Sequence, residues 1–211
     1  MDYTTLVGSE LVVGSIKYWI NWSRIDADGI LDEAEKWIYS KLRVMEMLAR
    51  ADVAIAANIP YVPFPAGYLD PIHLGIPGHI PTIIYVDPSR FQAGLGWDQT
   101  AVLPVAPPTR WANMDRQINF NHRPDQAYTA KMAFYRRPDA LSSDNPTNFL
   151  TDRYPTLLRR VCLMFAAEAR KEFDVMDRAE IKAMAMVDDI KVEGDLGLRG
   201  MEFDFNWEES A

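Results

Sequence analysis

DADGILDEAEKWIYSKLRVMEML, residues 26–48, sets the reading of the whole chain. Ile30, Leu31, Ala34, Trp37, Ile38, Leu42, Met45 and Leu48 recur at intervals of three and four, which puts them on one face of an α-helix. Asp26 or Asp28 supplies the N-cap. Asp32, Glu33 and Glu35 crowd the first turns, where the helix dipole favours negative charge. Lys41, Arg43 and Arg50 lie toward the other end. The pattern predicts an amphipathic helix that buries one face and needs a partner to bury it against.

Upstream, Leu11, Val12, Ile16, Trp19 and Ile20 share helical spacing, so a short helix capped by Ser9 is expected over residues 9–22, with Gly14 weakening it. Downstream the period changes. Val53, Ile55 and Ala57 alternate with small residues, as do Ile72, Leu74 and Ile76, then Ile80, Thr82, Ile84 and Val86. Residues 111–120 read as a hairpin turning at Asp115-Arg116, and Tyr128, Ala130, Met132 and Phe134 form another strand. Thirteen of the fourteen prolines lie between Pro60 and Pro146, which excludes long helices there. Residues 88–108 carry little pattern and read as a long excursion.

Helix returns near Asp152, with Pro155 suited to a first helical turn. Leu157, Leu158, Val161, Cys162, Phe165, Ala166, Ala169 and Phe173 form one stripe, with Leu158 and Phe165 expected to be buried. Ala179, Ala183, Met186 and Ile190 continue it after a bend around residues 174–177. Neither flank buries its stripe alone, so the two should pack together. The fold class is therefore α+β: a helical bundle from the N- and C-terminal segments (1–50 and 148–192) with an inserted antiparallel β-rich, sandwich-like domain (51–147). Residues 193–211 differ again. Gly194, Gly197 and Gly200 are read as interrupting any helix, and six acids stand against one base, Arg199, in a flexible acidic-aromatic arm.

Composition limits the chemistry. The formal charge of −8 opposes a phosphate backbone, so no specific nucleic-acid binding is expected. The pairs Arg136-Arg137 and Arg159-Arg160 read as salt-bridge partners on a helix or strand face. The single cysteine, Cys162, sits in an apolar stripe, which excludes an intrachain disulfide and disfavours a reactive thiolate. Asp26-Ala27-Asp28-Gly29 looks like the start of a calcium loop, but the sixth and twelfth positions are Leu31 and Trp37, so helix capping explains it better. His73 and His79 have no recognisable third metal ligand. Gly94-Leu95-Gly96 lacks the third glycine of a dinucleotide fingerprint. The first residues lack a basic stretch followed by an apolar one, and no apolar run reaches spanning length, so neither a signal peptide nor a membrane partner is expected.

SIKYWINWSRIDADGILDEAEKWIYSKLR (15–43) and NFLTDRYPTLLRRVCLMFA (148–166) resemble bacteriophage head–tail adaptor (connector) proteins. The strand MAFYRRP (132–138) and the hairpin from Arg110-Trp111 fit the same pattern, and the resemblance covers residues 15–185. It implies a structural virion protein and not an enzyme. It further implies a ring, commonly of twelve copies, seated between the portal protein and the tail nozzle or tail fibres, lining the DNA exit channel and assembled in the host bacterial cytoplasm. No cofactor, metal or catalytic residue is implied. A reading from a different class, a small soluble enzyme or ligand-binding module with its site in the β insert, would require a pocket with convergent polar groups.

The arm carries the candidate docking residues. In Met201-Glu202-Phe203-Asp204-Phe205-Asn206-Trp207 the alternation is strict, so a strand would put Met201, Phe203, Phe205 and Trp207 on one face. Such a face should seek a groove or a sheet edge on a neighbouring component of the particle. Truncation after Gly200 should leave folding intact and weaken portal binding strongly. Equal binding by the truncated and full chains would show that the anchor lies elsewhere.

Overall fold

The computed structural model of the chain describes residues 1–78, 82–94 and 103–199. They fall into two units: Met1–Glu46 with the chain from Pro138 onward, and Met47–Arg137.

The first unit is helical. Its elements are α1 (Tyr3–Leu6), α2 (Ile16–Ile20), α3 (Ala27–Lys41) and, after the insert, α5 (Phe149–Arg153), α6 (Pro155–Ala169) and α7 (Phe173–Arg199). The Asp26 carboxylate accepts from the Gly29 amide at 3.1 Å, so the acidic start of the stretch is a cap, as its spacing predicts. The stripe Ile30, Leu31, Ala34 and Ile38 is buried, and α3 packs on α6, as do α2, α5 and α7. α6 begins with Pro155 at its first turn and buries Leu157, Leu158, Val161 and Cys162. Phe165, expected inside, is half-buried.

Several helix boundaries differ from the sequence expectation, each for a local reason. The first helix does not start at Ser9: Gly14 adopts φ 101°, and Ser15 caps α2 by accepting from the Tyr18 amide at 3.0 Å. α3 stops at Lys41 and does not continue to Leu48. Leu42 is extended, and the Arg43 guanidinium donates to the carbonyls of Tyr39 and Leu42 at 2.7 Å each, satisfying acceptors at the helix end. Met45 and Leu48 only happened to extend the helical spacing; a short 3₁₀ turn at Met45–Met47 leads into a strand. The C-terminal stripe breaks at Lys171 (φ 61°), earlier than residues 174–177, so Phe173 opens α7 and is 58% exposed. α7 then runs through Gly194 and Gly197 to Arg199. A glycine costs a helix about 1 kcal/mol, less than is needed to stop one already propagating.

The second unit holds β1 (Leu48–Ile55), β2 (Tyr61–Pro63), β3 (Tyr68–Gly75), β4 (Ile84–Tyr85), α4 (Pro88–Gly94), β5 (Arg110–Met114), β6 (Gln117–Phe120) and β7 (Tyr128–Arg136). One sheet has the order β1-β7-β3 and the other β2-β6-β5-β4. Pairing is antiparallel except between β4 and β5, which run parallel. Val53, Ile55, Leu74, Ala130, Met132 and Phe134 from one sheet share a core with Ile83, Trp111, Ile118 and Phe120, which makes the insert sandwich-like. The β5–β6 turn falls at Asp115-Arg116, both with positive φ (51° and 58°), the twist a two-residue hairpin demands. The strand expected from Ile80 shrinks to Ile84–Tyr85, with residues 79–81 outside the described part. The patternless excursion opens with an unforeseen helix, α4. Asp87 accepts from the amides of Ser89 (2.9 Å) and Phe91 (2.8 Å), and Phe91 is buried.

The helical unit closes around one buried acid. Glu35, 1% exposed, accepts from the Tyr39 hydroxyl (3.0 Å), the Asn148 side-chain amide (2.9 Å) and the Leu141 backbone amide (3.0 Å). The carboxylate on α3 thus holds the chain where it returns from the insert. This places the return at Pro138, ahead of the expected residue 148. Asn148 also caps α5 through a capping box with Thr151. Glu35→Ala would strand three donors in the interior and should cost at least about 3 kcal/mol. Leu158→Ala, which opens a cavity between packed helices, should cost about 2–5 kcal/mol. Denaturant melts check both, and a change under about 0.5 kcal/mol in either would contradict the packing described.

Candidate interaction surfaces

The described residues hold no group of three or more His, Cys, Asp and Glu side chains able to hold a metal ion. His73 is exposed on β3, His122 lies 3.2 Å from the Pro107 carbonyl oxygen, and His79 falls outside the described residues. Cys162 is fully buried. Burial first, and the nearby Glu35 charge second, push its thiol well above the ordinary range. The nucleophile is therefore both shielded and protonated. No described helix is long and apolar enough to cross a membrane.

What the chain offers instead is surface. In the helical unit, residues 8–14 form a knuckle that projects Leu11 (85% exposed) and Val13 (75% exposed). Its shape is fixed from inside. The Ser15 hydroxyl donates to the Ser9 carbonyl at 2.8 Å, and the amides of Val12 and Ser15 donate to the carbonyls of Ser9 and Val12. Sequence periodicity had placed Leu11 and Val12 on a buried stripe; the flanking Gly8 and Gly14 were the available sign of a loop. Arg159 lies 4.9 Å over the Trp19 ring, which accounts for half of one arginine pair.

In the β unit, Phe64 stacks on Tyr68 (centroids 4.0 Å apart, 5° between planes) beside a hollow of about 520 Å³ bordered by Asn113 and Arg116. Asn113 donates to the Tyr68 hydroxyl at 2.6 Å. Burial, opposed by that hydrogen bond, pushes the Tyr68 hydroxyl up to about 12. This hollow has no base, nucleophile or charge cluster converging on it, only one turn arginine. The outer face of the β1-β7-β3 sheet is polar: Lys131 bridges both oxygens of Asp52 at 2.7 Å, directly across the register, and Arg50 stands beside them opposite Ala133.

The docking residues read from sequence, Met201, Phe203, Phe205 and Trp207, lie outside the described residues, and α7 ends two residues before the first of them. Among the described residues, sequence reasoning missed two features, the knuckle and the open edge of the β1-β7-β3 sheet at β1. The SU10 adaptor protein family matches the chain over residues 1–198, spanning both the helical unit and the insert. The chain belongs to the SU10 adaptor protein family. No curated protein matches it. The family is one of phage structural adaptors and not of enzymes, so this adaptor is a virion component that interacts with other virion components.

The buried thiol gives a direct check. The native adaptor should resist a thiol reagent at mildly alkaline pH, and one equivalent should react on denaturation. Fast labelling of the folded chain would mean that the α6 stripe opens readily.

Proposed function

We propose that this adaptor forms the ring between the portal protein and the tail nozzle or fibres, and that the ring lines the channel through which DNA leaves the head. The observation that carries this reading is the family match over residues 1–198, which covers both units of the fold. Physical features support it. A net charge of −8 keeps the subunit from gripping passing DNA, since a basic lumen would retard the genome through phosphate contacts. A closed ring needs two different faces per copy, and the exposed knuckle and the sheet edge are dissimilar surfaces of the kind a heterologous contact uses. Twelve copies is the number the resemblance implies.

Like-charged subunits repel at low salt, so the isolated chain is expected to be a monomer or weak oligomer that completes its ring on a portal template. Electron microscopy of the chain mixed with its portal should show a ring beneath the portal, while sedimentation of the chain alone at low and moderate salt should show none. A stable closed ring in the absence of portal contradicts the template step. Failure to bind portal at all contradicts the adaptor reading.

A further inference from the structure

The two sheets of the insert have four edges, and three are blunted. β3 carries Pro71, which has no amide hydrogen, and two shifts in register with β7. β2 has three residues and ends in Pro63, and β4 has two residues. β1 is different. Its eight residues contain no proline or glycine and pair without a break, from Leu48 opposite Tyr135 to Ile55 opposite Tyr128. Every second residue of such a strand turns its N–H and C=O away from its partner. Among the described residues, no hydrogen bond reaches those outward groups of β1. A straight, open edge templates another strand, which is why proteins usually interrupt one.

We propose that in the free chain the β1 edges of two copies pair antiparallel about a twofold axis at Ala51, joining two three-stranded sheets into one of six strands. The strand's own sequence selects this register. Residues with outward backbone groups must face each other, so odd-numbered positions meet odd ones and even meet even. A slip by one residue breaks those hydrogen bonds and sets buried residues against exposed ones. The axis therefore passes through a residue. At Arg50 or at Asp52 it would set like charges directly opposite each other, which destabilises a sheet. Axes nearer either end shorten the ladder. At Ala51 it sets Arg50 opposite Asp52 of the second copy, twice by symmetry. Arg50 is available for this, since it makes no ion pair among the described residues, while Asp52 is held at 2.7 Å by Lys131 of its own sheet. The carboxylate then lies between two cations. On the core-facing side the same register brings Ala49 to Val53 and Ala51 to its own counterpart, all buried or partly buried. Such a contact uses one face on both copies and closes at two. A single strand edge buries little surface, so the pair is weak. The pair needs nothing from the ring reading; under that reading, the portal template must open it before a copy joins the ring.

The test uses the full chain without portal, at moderate salt that screens its net charge of −8. Sedimentation should show a monomer passing to a dimer between micromolar and millimolar chain. The amides of residues 48–55 should gain protection from hydrogen exchange as the dimer forms. Arg50→Glu and Asp52→Lys should each weaken dimerisation about tenfold or more, because each turns two attractive pairs into repulsive ones. Mixing the two variants should restore most of the dimer, since every charge across the edge again faces its opposite. Both residues are exposed, so the fold survives their replacement, as the denaturant midpoint checks. In mild oxidant, Ala51→Cys should form a disulfide dimer across the axis, whereas Ala49→Cys, opposite Val53, should not; Cys162 is buried and takes no part. The proposal is overturned by a chain that stays monomeric throughout, by a dimer indifferent to both charge changes, by folded variants that do not recover on mixing, or by cross-linking through position 49 as readily as through position 51.

Discussion

A chain that leaves a helical bundle at Glu46 and re-enters it at Pro138 has to make the two visits meet, and the Glu35 carboxylate is where they do. It reaches across from α3 to the Leu141 amide and the Asn148 side chain, with Tyr39 one turn further along supplying a third hydrogen bond. An ionised carboxylate in an interior is costly unless its oxygens are satisfied. Here three donors from separate parts of the chain satisfy them, so the cost falls on any arrangement that separates those parts. Asn148 then caps α5, α5 leads to Pro155, and α6 lays its stripe on α3. The apolar faces supply most of the stabilisation, and the carboxylate fixes which return path they accept.

The insert follows a different logic. Its core is a layer of β-branched and aromatic side chains between two small sheets, with Trp111 and Phe120 fully covered. Short strands, prolines and bulges protect a sandwich from joining others of its kind. Those devices appear on β2, β3 and β4 and are missing from β1, so the unit exposes one strand's worth of unsatisfied backbone. In a subunit built to assemble, an open edge is tolerable when assembly covers it.

The chemistry-bearing groups among the described residues are mostly committed to structure. The lone thiol lies deep in the α6 stripe, the described histidines sit apart, and the hollow beside Phe64 and Tyr68 is bordered by Asn113 and the turn arginine Arg116. Polar groups in this molecule are spent on caps and turns: Asp26 on α3, Ser15 on α2, Asp87 on α4, Asn148 on α5. That distribution fits membership of a family of structural adaptors.

The sequence by itself determined the division into helical flanks and a β insert, because period 3.6, period 2 and proline placement are local properties that survive without tertiary context. It also determined the Asp26 cap, the Asp115-Arg116 turn, the α3–α6 pairing of stripes and, through segments 15–43 and 148–166, the adaptor family. Only the tertiary structure decided where helices end. Met45 and Leu48 continue the spacing of α3 yet belong to a turn and a strand, and Leu11 and Val12 continue that of α2 yet stand in solvent. Apolar spacing records that a residue could lie on a helical face; whether it does depends on what covers that face, and the covering residues are far away in sequence. Edge status is non-local for the same reason. Nothing within residues 48–55 says that β7 will pair on one side and no described strand on the other. Glu35 reads in sequence as one more acid in an acidic first turn, and becomes the organising group only once the chain, about a hundred residues later, brings Leu141 and Asn148 to it.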